Sequence, residues 1–158
     1  MRVERCTGET LEDWVELRHA LWPDADIATL RAEAEDSLAD SGRTVAFVVR
    51  DAASSVGGGV RGGVLGFAEA SLRRDYVNGC ETSPVAFLEG IYVRADQRKR
   101  GVARLLVRAV EDWATSVGCS ELASDADIRN DASHRMHGAL GFEETERVVY
   151  FRKLLDRG

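Results

Sequence analysis

The stretch "FLEGIYVRADQRKRGVARLLVRAVEDWA", Phe87 to Ala114, decides how the chain is read. An apolar run ends near Val93, a basic turn carries Arg98, Lys99, Arg100 and Gly101, and apolar residues then recur at helical spacing from about Gly101 to Val117. A turn between strand and helix sets unpaired N–H groups and the positive end of the helix dipole beside guanidinium groups. Gly101 and the small Ala103, on either side of Val102, allow a close backbone approach. The combination suits a phosphate or pyrophosphate group. A solvated, basic helix entry is the alternative that charge alone allows.

Outward from this stretch, "RVERC" reads as a first strand. Thr10-x-x-Asp13 reads as a capping box for a helix holding Leu11, Trp14 and Val15, and Pro23 ends that helix. "DIATLRAEAEDSLAD" is a second helical pattern stopping at Gly42, and "TVAFVVR" is a β-branched strand. The glycine- and serine-rich segment Asp51 to Gly63 predicts a hairpin loop. It lacks the Lys-Ser/Thr ending of a phosphate loop and runs into the strand "VLGFAEASLR", where such a loop needs a helix. After "VAFLEGIYV" and the long helix come a strand "ELASD", a short helix from Asp131 to Leu140 and a last strand "TERVVYFRK". The order β-α-α-β-β-β-α-β-α-β predicts an α+β fold: a mixed sheet with helices on its faces. A parallel crossover brackets the long helix, with the ligand at the strand ends.

At 158 residues and 44% hydrophobic composition, one domain over 1–158 is expected, with a core large enough to need no disulfide or metal. Cys6, Cys80 and Cys119 have no C-x-x-C spacing, which fits a reducing cytoplasm. No signal-like or membrane-spanning run stands out, so a soluble cytoplasmic protein is expected. The net charge of −6 argues against general nucleic-acid binding and suits a cationic ligand, although many acidic surfaces bind nothing.

Arg98-x-x-Gly101-x-Ala103 between strand and helix, with "SHRMHGALGF" further on, resembles the acetyl-coenzyme A signature and closing helix of the Gcn5-related N-acetyltransferases (GNAT). "RHALWP", "RRDYVNGCETSPVAFLEGIYV", "RGVA", "ASD" and "ALGFEETERVVYFRK" are similar to the chromosomal-type aminoglycoside 6′-N-acetyltransferases, from about Trp14 to Lys153. The resemblance implies a mostly antiparallel sheet with a splayed parallel pair at the acetyl-CoA site. It implies acetyl transfer from acetyl-CoA to the 6′-amine of an aminoglycoside, a resistance function, and a homodimer formed through the last strand. Acetylation of another amine, such as a polyamine or a protein lysine, and a coenzyme A-binding module without turnover are the alternatives. The Asp51 to Gly63 loop is longer than the resemblance suggests.

Amine acetylation needs a neutral nucleophile and a proton for the departing thiolate. Glu89 in "FLEGI", on a strand face with Phe87 and Ile91 if alternation holds, is the candidate base, since an apolar setting raises a carboxylate's pKa. A carboxylate paired with a structural arginine is its other reading. The neighbouring Gly90 marks a bulge or a close approach. The resemblance implies that Ile91 and Val93 offer main-chain groups to the pantetheine arm. It implies contact of Asp125 with substrate amines, of Trp22 and Tyr76 with sugar rings, and of Glu146 with the aminoglycoside, across a dimer interface. Many members of the superfamily have a tyrosine four residues before the closing Gly-Phe. Here His137 stands there, as a general acid or as packing, and Tyr150 is the alternative phenol. Asn130 reads as a pantetheine contact or a helix cap.

Overall fold

The computed structural model describes residues 1–52 and 62–156. Residues 53–61 of the expected hairpin loop lie outside the described residues. The elements are β1 (Arg2–Arg5), α1 (Leu11–Leu21), α2 (Ile27–Ala39), β2 (Thr44–Arg50), β3 (Val64–Arg73), β4 (Val85–Val93), α3 (Val102–Ser116), β5 (Leu122–Ser124) and α4 (Asp131–Ala139). They fall into two compact units, Met1–Asp125 and Ala126–Gly158.

In the first unit the strands lie in the order β1-β2-β3-β4-β5, antiparallel except for the parallel pair β4–β5, whose crossover is α3. This is the mixed, mostly antiparallel sheet expected. The two faces of β3 separate the helices. Phe67 packs in a cluster with Trp14, Val15 and Leu17 of α1 and Ala34 of α2, whereas a side chain at Gly66 would meet Val102 of α3. α3 buries Val102, Leu106, Val107, Val110 and Trp113, an apolar stripe at helical spacing. A smaller cluster of Val77, Val85 and Phe87, with Cys80 and Ala123 against it, packs beside the parallel pair.

The entry to α1 differs from the sequence expectation. Thr10 makes no side-chain cap to α1. The chain enters through a 3-10 turn at Gly8–Thr10, so the capping residue moves upstream. Thr7 Oγ1 accepts from the Glu9 amide at 3.3 Å, and the Thr7 amide donates to Thr10 Oγ1 at 2.8 Å. α2 begins as a capped helix should, with the Asp26 carboxylate accepting from the Thr29 amide at 3.0 Å.

In the second unit α4 ends at a left-handed Gly141 (φ 93°), and residues 142–156 form neither helix nor strand. The expected last strand is therefore not formed. A strand exists only through ladder bonds to a partner, and among the described residues this segment pairs with none. Val149, Tyr150, Phe151, Leu154 and Leu155 are exposed along it. Among the described residues no helix is long and apolar enough to cross a membrane.

Candidate active site

The antiparallel ladder between β3 and β4 slips by one residue at its centre. Glu69 pairs with Gly90 and Ala70 pairs with Leu88, leaving Glu89 as the extra residue of a β-bulge. The slip changes which side chains share a face. Phe87, opposite Ser71, stays on the face of Glu89, while Ile91, opposite Ala68, passes to the α3 face. The expected apolar setting for Glu89 is corrected accordingly. Its carboxylate is about a third exposed and accepts from Arg73 Nη2 at 2.9 and 3.0 Å, from Arg73 Nε at 3.3 Å and from the Ser71 hydroxyl. The Arg73 guanidinium lies 3.5 Å over the Phe87 ring. The geometry pairs the Glu89 carboxylate with an arginine, as its other reading expected.

Gly90 owes its identity to Trp22. A Cβ there would lie 2.8 Å from Trp22 Cη2, 3.0 Å from Cζ2 and 3.3 Å from Leu21 Cδ2. Trp22 also stacks on Arg18, whose Cζ is 5.1 Å from the ring, and edges onto Phe67 at 6.3 Å. Arg18 is fixed in turn by Glu69 through Nε at 3.0 Å and Nη2 at 3.2 Å, by the Leu30 carbonyl at 2.6 Å, and by Glu33 at 3.0 Å. Trp14 Nε1 donates to Glu69 at 3.0 Å. Burial pushes the Glu69 carboxyl up, against the pull of Arg18 and Trp14. This buried network sits directly across the sheet ladder from Gly90. Tyr76, largely exposed, lines a groove with Ser71 and Arg73, the partners of Glu89.

The parallel pairing of β4 and β5 stops at Leu88 and Ser124. One residue further along the chain from each come Glu89 and the exposed Asp125, just past the last paired residues. β4 then runs on to Val93, so that around Ile91 and Val93 it has no strand neighbour on that edge among the described residues.

Past β4, Arg98 Nε donates to the Val93 carbonyl at 3.2 Å, and Arg100 donates to Gln97 Oε1. Lys99 and Gly101 both take left-handed backbone, with φ of 61° and 85°. A Cβ at Gly101 would meet nothing within 4 Å, so glycine is required there by conformation and not by space inside the chain. No side chain caps α3 and no acidic residue stands in its first turn, where Val102 and Ala103 begin the helix. An uncapped, acid-free helix start beside Arg98, Lys99 and Arg100 fits a pyrophosphate.

Asn130, His137, Tyr150 and Glu146 belong to the second unit. Asn130 caps α4, its side-chain oxygen accepting from the Ser133 amide at 3.1 Å. His137 Nδ1 lies 2.8 Å from the Ser133 carbonyl, which can only accept, so Nδ1 carries a proton. A neutral His137 therefore presents Nε2 as an acceptor and donates from it only as imidazolium. The ring edges onto Phe142 at 5.1 Å. Tyr150 and Glu146 are exposed on the irregular segment. Arg73, Ser71 and the Trp14–Arg18–Glu69 network were not anticipated from the sequence.

Residues 10–142 match the acetyltransferase (GNAT) family. An aminoglycoside N(6′)-acetyltransferase type 1 of Serratia marcescens is 51% identical over 150 residues, 95% of this chain and 97% of that protein. An enzyme of the same name from Salmonella enteritidis is 44% identical over 97% of this chain and 99% of its own length. Among solved structures, AAC(6′)-Iy in complex with the bisubstrate analogue CoA-S-monomethyl-acetylneamine is 43% identical, with a TM-score of 0.87 and 98% of each chain covered. The apo aminoglycoside 6′-N-acetyltransferase AAC(6′)-IG of Acinetobacter haemolyticus is also 43% identical, with a TM-score of 0.86 over 99% of this chain and all of the other.

Proposed function

The chain belongs to the acetyltransferase (GNAT) family, and we propose that it transfers the acetyl group of acetyl-CoA to the 6′-amine of an aminoglycoside. The observation that carries this reading is likeness along nearly the whole chain, at 51% identity, to an enzyme named for that reaction. Likeness to a probable acetyltransferase at 18% identity supports the fold alone. The family match across residues 10–142 also supports treating the chain as one acetyltransferase domain.

Acetyl-CoA supplies a thioester carbonyl activated toward an amine. In this reading the first turn of α3 at Gly101, Val102 and Ala103, with Arg98, Lys99 and Arg100, binds the pyrophosphate. The main chain at Ile91 and Val93 orients the pantetheine arm along the unpaired edge of β4. Asn130 adds a contact through its amide NH2, since its oxygen is used as a cap. Glu89 and Asp125 draw the acceptor's ammonium group to the end of the β4–β5 ladder, and Trp22 and Tyr76 flank the sugar rings. The amine reacts only when neutral, so its proton must leave before or during attack. Glu89, as an ion-paired carboxylate, first binds the ammonium and then receives its proton, directly or through water. As the C–N bond forms and the C–S bond breaks, the thiolate takes a proton; His137 as imidazolium and the Tyr150 phenol are the candidate donors. Acetylation removes one positive charge from the drug, which is the chemistry of resistance.

The unpaired apolar segment carrying Val148, Val149, Tyr150 and Phe151 supports a homodimer in which it is covered and Glu146 is brought to a substrate site. A dimeric mass by light scattering at micromolar concentration is expected, and a monomer would refute it. Three free cysteines fit a cytoplasmic setting, where acetyl-CoA is made. The reading as a whole is tested by thiol release from acetyl-CoA in the presence of neamine.

A further inference from the structure

We propose that Arg73 is a specificity-determining residue, a cation built into the site that occupies Glu89 until the ammonium group of a polycationic acceptor displaces it. This inference rests on the acetyltransferase reading above and names the group that competes with the acceptor.

A carboxylate offers about four acceptor positions. On Glu89, Oε1 already receives Arg73 Nη2, Arg73 Nε and the Ser71 hydroxyl, and Oε2 receives Arg73 Nη2. An incoming ammonium cannot bind this carboxylate at full strength while the guanidinium stays. Stacking over Phe87 at 3.5 Å holds Arg73 beside Glu89.

Exposure separates this pair from the structural pair nearby. The side chains of Arg18 and Glu69 are 9% and 11% exposed, whereas those of Arg73 and Glu89 are 42% and 35% exposed. Solvent and solutes reach the second pair. Exposed ion pairs are weak enough to be exchanged, so the competition is worth roughly a two- to fivefold change in affinity. A small monoamine competes poorly against a tethered, bidentate guanidinium. A polycation brings further ammonium groups to Asp125 and overcomes the competitor. Arg73 thus filters acceptors by charge number.

The test measures Kd for neamine by calorimetry, and KM and kcat by thiol release, for wild type, Arg73→Gln, Arg73→Lys and Arg74→Gln, with melting curves for each. Arg74→Gln removes the same charge from the neighbouring position. Arg73→Gln is expected to bind neamine about two- to fivefold more tightly than Arg74→Gln, with KM falling alongside. Arg73→Lys is expected to lie between Arg73→Gln and wild type. Neamine binding by Arg73→Gln equal to or weaker than that of Arg74→Gln would overturn the proposal. Wild-type turnover of neamine in that same result would leave the acceptor reading intact. A wild-type protein that neither binds nor acetylates neamine would refute the acceptor reading and this inference with it.

Discussion

Gly90→Ala is the substitution whose consequence follows most directly from packing. The new methyl would stand 2.8 and 3.0 Å from two carbons of the Trp22 ring and 3.3 Å from Leu21 Cδ2, nearer than carbon atoms approach without displacement. The backbone cannot retreat easily, because Gly90 is laddered to Glu69, which is locked by Arg18 and Trp14. Trp22 must move, and it then loses part of its stack on Arg18 and its edge contact with Phe67. Overpacking of this kind costs about 1–3 kcal/mol, which at this chain length lowers Tm by roughly 3–10 °C. The same movement displaces a ring assigned to the acceptor side, so KM for neamine should rise while KM for acetyl-CoA stays unchanged. Thermal melting and steady-state kinetics read the two effects. A cycle with Trp22→Phe, which removes the outer ring carbons, should recover most of the stability lost to Gly90→Ala. A Gly90→Ala protein with wild-type Tm and wild-type KM would refute the packing argument, and an equal loss in the Trp22→Phe background would show that the strain lies elsewhere.

Gly101→Ala should cost about 1–2 kcal/mol through its left-handed backbone and weaken coenzyme A binding by calorimetry more than neamine binding; unchanged coenzyme affinity would remove the helix start from the binding site. Glu89→Gln should lower kcat much more than it raises KM for neamine, and near-normal kcat would leave Glu89 without a role in the proton's departure. Burial pushes the Cys6 thiol up to about 12, so at pH 8 only about one molecule in ten thousand carries the thiolate. Iodoacetamide should therefore modify the half-buried Cys80 before Cys6 in the folded protein, and rapid labelling of Cys6 by peptide mass would contradict that burial.

The helices and the succession of the first five strands along the chain could be read from the sequence because each rests on a local pattern. α3 has its apolar stripe, α2 its aspartate cap, and the crossover around α3 requires the parallel pair. The basic turn was legible for the same reason, as residue type and position relative to strand and helix already define it. The bulge at Glu89 was not. A one-residue slip leaves the strand's composition untouched, and only the register of β3 reveals that Ile91 has changed faces. For that reason Glu89 was expected in an apolar setting when Ser71 and Arg73, sixteen or more residues upstream, supply its partners. Gly90 marks a bulge or a close approach in the sequence: the close approach is at Gly90 itself, from the indole of Trp22, and the extra residue of the bulge is the one before it. At Gly101 the sequence points to a close backbone approach, and the structure adds a left-handed backbone that the sequence does not show. The segment after Gly141 alternates like a strand, yet alternation supplies no ladder bonds, and the described chain offers it no partner.

The central claim is acetyl transfer to a 6′-amine, and it is tested most directly by incubating the protein with acetyl-CoA and neamine and following free thiol and product together. The account predicts stoichiometric release of coenzyme A and a mono-acetylated neamine whose acetyl group lies on the 6′-nitrogen by NMR. Thiol release with spermidine but not with neamine, or acetylation at another nitrogen, would contradict it.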